Sequence, residues 1–341
     1  MPEKPKHIML AHGGGGQLTA ELIAQVILPT MGGQNPAGLT DAATFQADGQ
    51  SIVFTTDSYV VQPLEFPGGD IGKLAVCGTI NDLAVSGARP VALSMGLILE
   101  EGLEIGVLER VLHSAAAVCR QRGVSVVTGD TKVVERRGGE PGLYINTAGV
   151  GEPLEGAELG FARVEGGDAV IVSGPLGQHG LAVMIRRKGL SIASTLQSDC
   201  APLHGLVADL VEAVGPALKW MRDLTRGGLA ATLSELSSAT GRNIRIRQTR
   251  LPTDPSAVAA AEMLGLDLLS IANEGKLAAV VSAAAAETAV AVLRSHAIAR
   301  QAAVIGHVGD RGELPMVEMV TRAGGVRIVQ MPYGEDLPRI C

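Results

Sequence analysis

Aromatic side chains are scarce, with one Trp, three Tyr and four Phe in 341 residues. That scarcity argues against a stacking platform for nucleic-acid bases. The formal charge of −7 argues against a general binder of polyanions. One local basic stretch, RNIRIRQTR with Arg242, Arg245, Arg247 and Arg250, reads as a solvated strand face. Four cysteines (Cys77, Cys119, Cys200, Cys341) are far apart, with no CxxC pair and no zinc spacing. No apolar run approaches the roughly 20 residues that span a bilayer, and the first ten residues, MPEKPKHIML, hold no signal-peptide core. The expectation is a reduced, cytoplasmic protein with no membrane and no nucleic-acid partner.

What is present is aliphatic. Apolar residues make up 46% of the chain, enough for packed cores, and the length favours two domains over one. Strand and helix signals alternate. Ile52 to Thr56 is a β-branched run ending at Asp57. A helix is expected from Asp70, at its N-cap, to Ser86, with Ile71, Leu74 and Ala75 on one face. Another runs from Leu103 to Arg122, with Ile105, Leu108, Leu112, Ala115 and Cys119 aligned and Gly123 as its stop. Val124 to Val127 and Tyr144 to Val150 read as strands, and the stretch GEPLEGAELG then marks a boundary. Alternation resumes with strands at Ala169 to Ser173, Leu277 to Val281 and Ala302 to Ile305, and with helices from Leu181 and Gly228. An α/β (α+β) fold follows, with domains at 1–152 and 153–331 and a mobile tail at 332–341.

Four clusters carry chemistry. Gly13, Gly14, Gly15 and Gly16 follow His12 and open a helix, where backbone N–H groups suit an anion; a glycine run is equally the mark of a flexible loop. Neither a Walker A sequence nor a GxGxxG occurs. Asp57, Asp82 and Asp130 each end or flank an element. Singly they read as caps or turns, and together as oxygen ligands for magnesium. Lys132 adds a cation to meet a phosphoryl group. In MRDLTRGGLA, Arg222, Asp223 and Arg226 precede a helix as an ordinary capped start, and Asn273-Glu274-Gly275-Lys276 reads as a turn or as the seat of a general base. Finally, Cys341 ends the tail YGEDLPRIC, where a thiol has no core to fill and no loop to close.

AHGGGGQLTAELI, TTDSYVVQPLEFPGGDIGKLAVCGTINDLAVSGARP, TGDTKVVERR, VSGPLGQHG, MRDLTRGGLA, NEGKL and the terminal PRIC occur in order. Together they resemble the HypE family of hydrogenase maturation factors, within the wider aminoimidazole-ribonucleotide-synthetase-like ATP-using enzymes. The resemblance covers about His7 to Cys341. It implies an N-terminal domain that dimerises through its sheet, with ATP near the dimer interface. It also implies ATP-dependent dehydration of a carboxamide on Cys341 to a thiocyanate, supplying cyanide for nickel–iron hydrogenase. Phosphates would lie on Gly13 to Gly16, magnesium on Asp57, Asp82 and Asp130, and the transferring phosphoryl group near Lys132. Glu274 and Asp82 are the alternatives for the base, with His12 a third. The implied partners are a second copy, the carbamoyltransferase HypF and an iron-carrying HypC–HypD complex. A non-enzymatic thiol carrier, a selenophosphate synthetase and a thiamine-monophosphate kinase are the rival readings. Gly14 stands where many relatives have Ser, and Leu224 where they often have Pro or Ala.

Overall fold

The computed structural model of the chain describes residues 7–31, 40–136, 138–189 and 195–334. Its first sheet comprises β1 (Ala43–Ala47), β2 (Gln50–Tyr59), β5 (Ala88–Glu100), β6 (Ser125–Val134) and β7 (Leu143–Pro153), ordered β1-β2-β7-β5-β6. The intervening β3 (Glu65–Phe66) and β4 (Gly69–Asp70) form a short separate ribbon. The second sheet holds β8 (Ala169–Val172), β9 (Leu218–Asp223), β10 (Arg242–Arg247), β11 (Leu277–Val281), β12 (Ala303–Arg311), β13 (Val317–Val320) and β14 (Val326–Val329). Its order is β14-β13-β10-β12-β8-β11-β9. Among the described residues only β5–β6 and β10–β13 pair in parallel. The ligand edge typical of parallel α/β sheets is therefore not available to either sheet.

Strand parity sorts the first sheet into two faces. In β7, Leu143, Ile145, Thr147 and Gly149 are buried and alternate with Tyr144, Asn146, Ala148 and Val150. The pairings Asp57–Thr147 and Met95–Thr147 extend the inner face, and Phe54–Val150, Ser58–Asn146 and Gly96–Asp130 the outer one. The inner face packs on the helix Ile71–Val85, whose 15 residues are all buried except Lys73 and Asp82. A helix apolar on every side belongs in a core. Asp70 starts it as its N-cap, accepting from the amides of Gly72 (2.8 Å) and Lys73 (2.9 Å). The outer face is uncovered and leaves Phe45, Phe54, Ile98 and Val150 exposed, beside an edge strand β6 that is exposed throughout.

The helix Ile105–Arg122 differs from expectation in its buried face. Val111, Ala115, Val118 and Cys119 are buried, whereas Ile105 is 72% exposed at the first turn. Gly123, at φ 66°, closes it in the left-handed conformation that glycine adopts freely.

In the second domain, alternate residues of the fully buried β8 and β11 enter different cores. Ala169, Ile171, Leu277, Ala279 and Val281 join one, and Val170, Val172, Ala278 and Val280 the other. Helices cover both faces, which is why these strands read as unbroken apolar runs. On β10, Arg245 and Arg247 do face solvent between Ile244 and Ile246, which are buried.

Asn81 joins the domains. Its Nδ2 donates to the carbonyls of Ala201 (3.1 Å) and Glu274 (3.2 Å), and its Oδ1 accepts from the Leu203 amide (2.7 Å). The contacts to Glu274 and Leu203 are fully buried, so removing the side chain leaves backbone groups unpaired. Asn81→Leu, close in size, is expected to lower stability by about 2–4 kcal/mol. Chemical denaturation checks this, and a loss below about 0.5 kcal/mol would mean that the contacts are replaceable.

Candidate active site

Five carboxyl groups meet where the domains join. Asp57 comes from β2, Asp82 from the buried helix, Asp223 from the end of β9, and Asp41 and Glu274 from the segments leading into β1 and β11. They line one pocket of about 200 Å³. Carboxylate oxygens of Asp41, Asp82 and Asp223 all lie within 4.8 Å of one another. Arg222 answers part of this charge, with Nε 3.1 Å from Asp41 Oδ1 and its other end paired with Glu235. The Thr55 hydroxyl bonds Asp82 Oδ2 at 2.9 Å.

Burial comes first in raising the affinity of these acids for protons, and mutual repulsion adds to it. Asp82 is pushed well above the ordinary carboxylate range by burial, then by Asp223, Asp41 and Asp57. Asp223 is raised likewise by burial and Asp41, against the opposing pull of Arg222. Glu274 is raised by burial, then by Asp223, Asp199 and Asp57, and its Oε1 is buried with no hydrogen-bond partner. Crowded, incompletely neutralised carboxylate oxygens are the donor set of a hard divalent cation such as magnesium, so the residues present fit one.

The expected metal set is corrected within one chain. Asp57 and Asp82 reach the pocket, but Asp130 does not. Asp130 pairs opposite Gly96 on the outer face, whereas Asp57 shares the inner face with Thr147. Three strand spacings, about 14 Å, also separate β2 from β6. Asp130 instead holds Lys132, whose Nζ lies 2.7 and 2.6 Å from its two oxygens on the exposed strand. Asp41 and Asp223 complete the cluster. Asp223 stood in a quoted motif but was read as a cap, and no local pattern distinguished Asp41.

The glycine run lies against the C-terminal segment. The Gly14 amide donates to the Ala11 carbonyl (3.3 Å) and the Gly15 amide to Thr19 Oγ1 (3.0 Å). Just past the run, the Gln17 and Leu18 amides donate to the carbonyls of Pro332 (3.0 Å) and Tyr333 (3.3 Å). A Cβ on Gly16 would lie 2.2 Å from the Pro332 oxygen. The root of the C-terminal tail thus packs against Gly16 and is held by the first turn of the helix that follows the run. His12 is buried, with Nδ1 2.9 Å from the Met9 amide nitrogen and 3.3 Å from the Met9 carbonyl oxygen. Cys341 lies outside the described residues. A second cleft of about 510 Å³, lined by Gly15, Gly16, Thr19 and Met331, shares Arg222, Thr225 and Arg226 with the acidic pocket. The two make one elongated depression, acidic at one end and basic in the middle.

A sequence profile described as AIR synthase related protein, N-terminal domain, matches residues 39–152, and its C-terminal counterpart matches 165–317. Carbamoyl dehydratase HypE of Rhizobium leguminosarum bv. viciae is 47% identical over 334 residues, covering 98% of this chain and 95% of its own. A solved HypE in complex with ATP is similar, with a TM-score of 0.81 and 43% identity, covering 98% of this chain and 100% of its own. A chain from a HypE–HypF complex has a TM-score of 0.84 and 42% identity, covering 91% and 99%.

The acids above hold protons more tightly when folded than when unfolded. Stability of the metal-free protein therefore falls as pH rises from the ordinary carboxylate range through their raised values. Magnesium is expected to raise the melting temperature by a margin that widens between about pH 5 and about pH 8. Asp223→Asn should stabilise the metal-free protein at neutral pH and abolish that response. Equal shifts at both pH values would place the ion elsewhere. For the tail root, Gly16→Val is expected to speed hydrogen exchange at the Gln17 and Leu18 amides by about tenfold; unchanged protection would contradict the clamp.

Proposed function

Because the chain belongs to the HypE family of carbamoyl dehydratases, built on the AIR synthase related fold, we propose that its domain-junction pocket dehydrates a carboxamide carried on Cys341. The observation that carries this reading is the gathering of Asp41, Asp57, Asp82, Asp223 and Glu274 in one pocket beside Arg222 and Arg226. The enzyme uses ATP in hydrogenase maturation, and HypF is its partner. HypF places the carbamoyl group on the thiol, giving Cys341 Sγ–C(O)NH₂.

Loss of water from an amide is slow because its oxygen is a poor leaving group. Transfer of the γ-phosphoryl group of ATP to that oxygen forms the O–P bond and releases ADP. The C–O bond then breaks with phosphate as leaving group, while the nitrogen gives up its two protons and C≡N forms. The product is Cys341 Sγ–C≡N, and the net change in the tail is one water.

Glu274 is the base. Its Oε1 is buried and partnerless in the pocket, and burial with the neighbouring acids raises its affinity for a proton. Asp82, by contrast, is bonded to Thr55 and crowded by Asp41 and Asp223, so it serves magnesium together with them and Asp57. Magnesium, when bound, offsets negative charge on the phosphates. Arg226 faces the neighbouring cleft and supplies a further positive charge there.

A second copy completes the site. The uncovered outer sheet face, with Phe45, Phe54, Ile98 and Val150, supports a homodimer that brings Asp130 and Lys132 to the other copy's phosphates. From Gly334, the seven residues to Cys341 reach at most about 25 Å, enough to serve this pocket and then a partner. The product is handed to an iron-carrying HypC–HypD complex. Among the described residues no helix is long and apolar enough to cross a membrane, and we assign the protein to the cytoplasm. A purely non-catalytic thiol carrier, a selenophosphate synthetase and a thiamine-monophosphate kinase are not favoured.

Intact-mass analysis of carbamoylated protein given ATP and magnesium should show loss of one water from the tail. An unchanged mass after confirmed loading would sink the reading. Glu274→Gln should slow dehydration by about 10²–10⁴-fold while ATP still binds. For the shared site, Asp82→Asn and Lys132→Ala copies should each be inactive but regain about a quarter of normal activity when mixed and reassembled, since half the dimers then hold one intact site. No recovery in verified mixed dimers would place both residues in one copy's site.

A further inference from the structure

Glu274 stands just before β11, and its main chain is held by side chains from elsewhere. Asn81 takes its carbonyl from one side. On the other, Asp199 Oδ1 accepts from the Glu274 amide and Oδ2 from the Gly275 amide, both at 3.2 Å. Asp199 Oδ2 also lies 3.3 Å from Lys276 Nζ, and the two side chains are 1% and 5% exposed. One carboxylate therefore holds three consecutive residues. The approach is close enough that a Cβ on Gly275 would lie 2.0 Å from the Asp199 carbonyl oxygen. With N–H and C=O both fixed, the side chain of Glu274 is left as the free part, its Oε1 unpaired in the acidic pocket.

A buried ion pair is a poor source of stability, because desolvation offsets the attraction and an apolar pair of similar size often serves as well. This pair, moreover, puts a negative group beside one that must accept a proton. Its use is geometric. Placement errors near 1 Å are enough to cost a catalytic base most of its effect.

We propose that Asp199, with Lys276 as its counter-ion, is the positioning residue that aims Glu274 at the substrate nitrogen. This rests on the reading of Glu274 as the base. Asp199→Asn keeps one acceptor oxygen but turns an amide group toward the Gly275 N–H and leaves Lys276 without its partner.

The test uses the full-length carbamoylated protein and measures dehydration with saturating and limiting ATP. Asp199→Asn should lower kcat by about 30–100-fold with KM for ATP within about twofold. In the Glu274→Gln background the same substitution should have no further effect on kcat, because it acts only through Glu274. Asp199→Asn/Lys276→Met removes the pair together. It should regain any lost melting temperature without regaining kcat, and it is the variant to read if the single one does not fold. A kcat within about threefold of normal in a folded variant would overturn the proposal, as would full additivity with Glu274→Gln or recovery of kcat along with stability. An active Glu274→Gln would instead overturn the reading of the base, whatever Asp199 does.

Discussion

Repulsion among buried carboxylates is the constraint that organises this molecule. At the separation seen for Asp41, Asp82 and Asp223, each pair of unit charges costs several kcal/mol in a protein environment, about 4 kcal/mol at 4 Å. Arg222 answers only part of that charge. The fold tolerates the cluster because each group is delivered by a different element, and each element is anchored in its own core. The same crowding of oxygens gives the pocket the donor set of a hard cation.

Delivery from several elements explains why the two domains form a single functional unit. The first sheet and the helix Ile71–Val85 bring Asp57 and Asp82, while β9 and the entry to β11 bring Asp223 and Glu274. The first domain also supplies Asp41, so the pocket draws its acids from both. The tail adds a third component, rooted on the N-terminal segment by the Gln17 and Leu18 amides. Cys341 and the acids of the pocket thus stand in the same sequence.

Local patterns made some of this legible. The helix starting at Asp70, the strand Leu277–Val281 and the acids Asp57, Asp82 and Glu274 follow from caps, apolar runs and polar interruptions. Convergence was not legible. Asp41 joins Asp82 through long-range contacts within the first domain, both meeting Thr55, and Asp223 arrives with the docking of the second; no short spacing encodes either. Asp130 depended on which face of the sheet it occupied, and that parity passes through a register shift between Leu93 and Ser94. The glycine run does not by itself name a ligand, because phosphate oxygen and peptide oxygen ask the same thing of a backbone amide. Ile105 misled for a geometric reason, since the first turn of its helix extends beyond the core it was assumed to face.

Asn81 and Asp82 are consecutive on one helix, so their side chains diverge by about 100°. One grips the backbone of the second domain and the other faces Asp41 and Asp223. Domain orientation and ligand spacing are thereby set by a single turn of backbone. The modularity that two separate sheets suggest is consequently limited. A recombinant joining the first domain of one relative to the second domain of another inherits a working site only if the seam beneath Asn81 is matched. Divergence in such a lineage is expected to be slowest along that seam, with the outer turns and surface loops left free to drift.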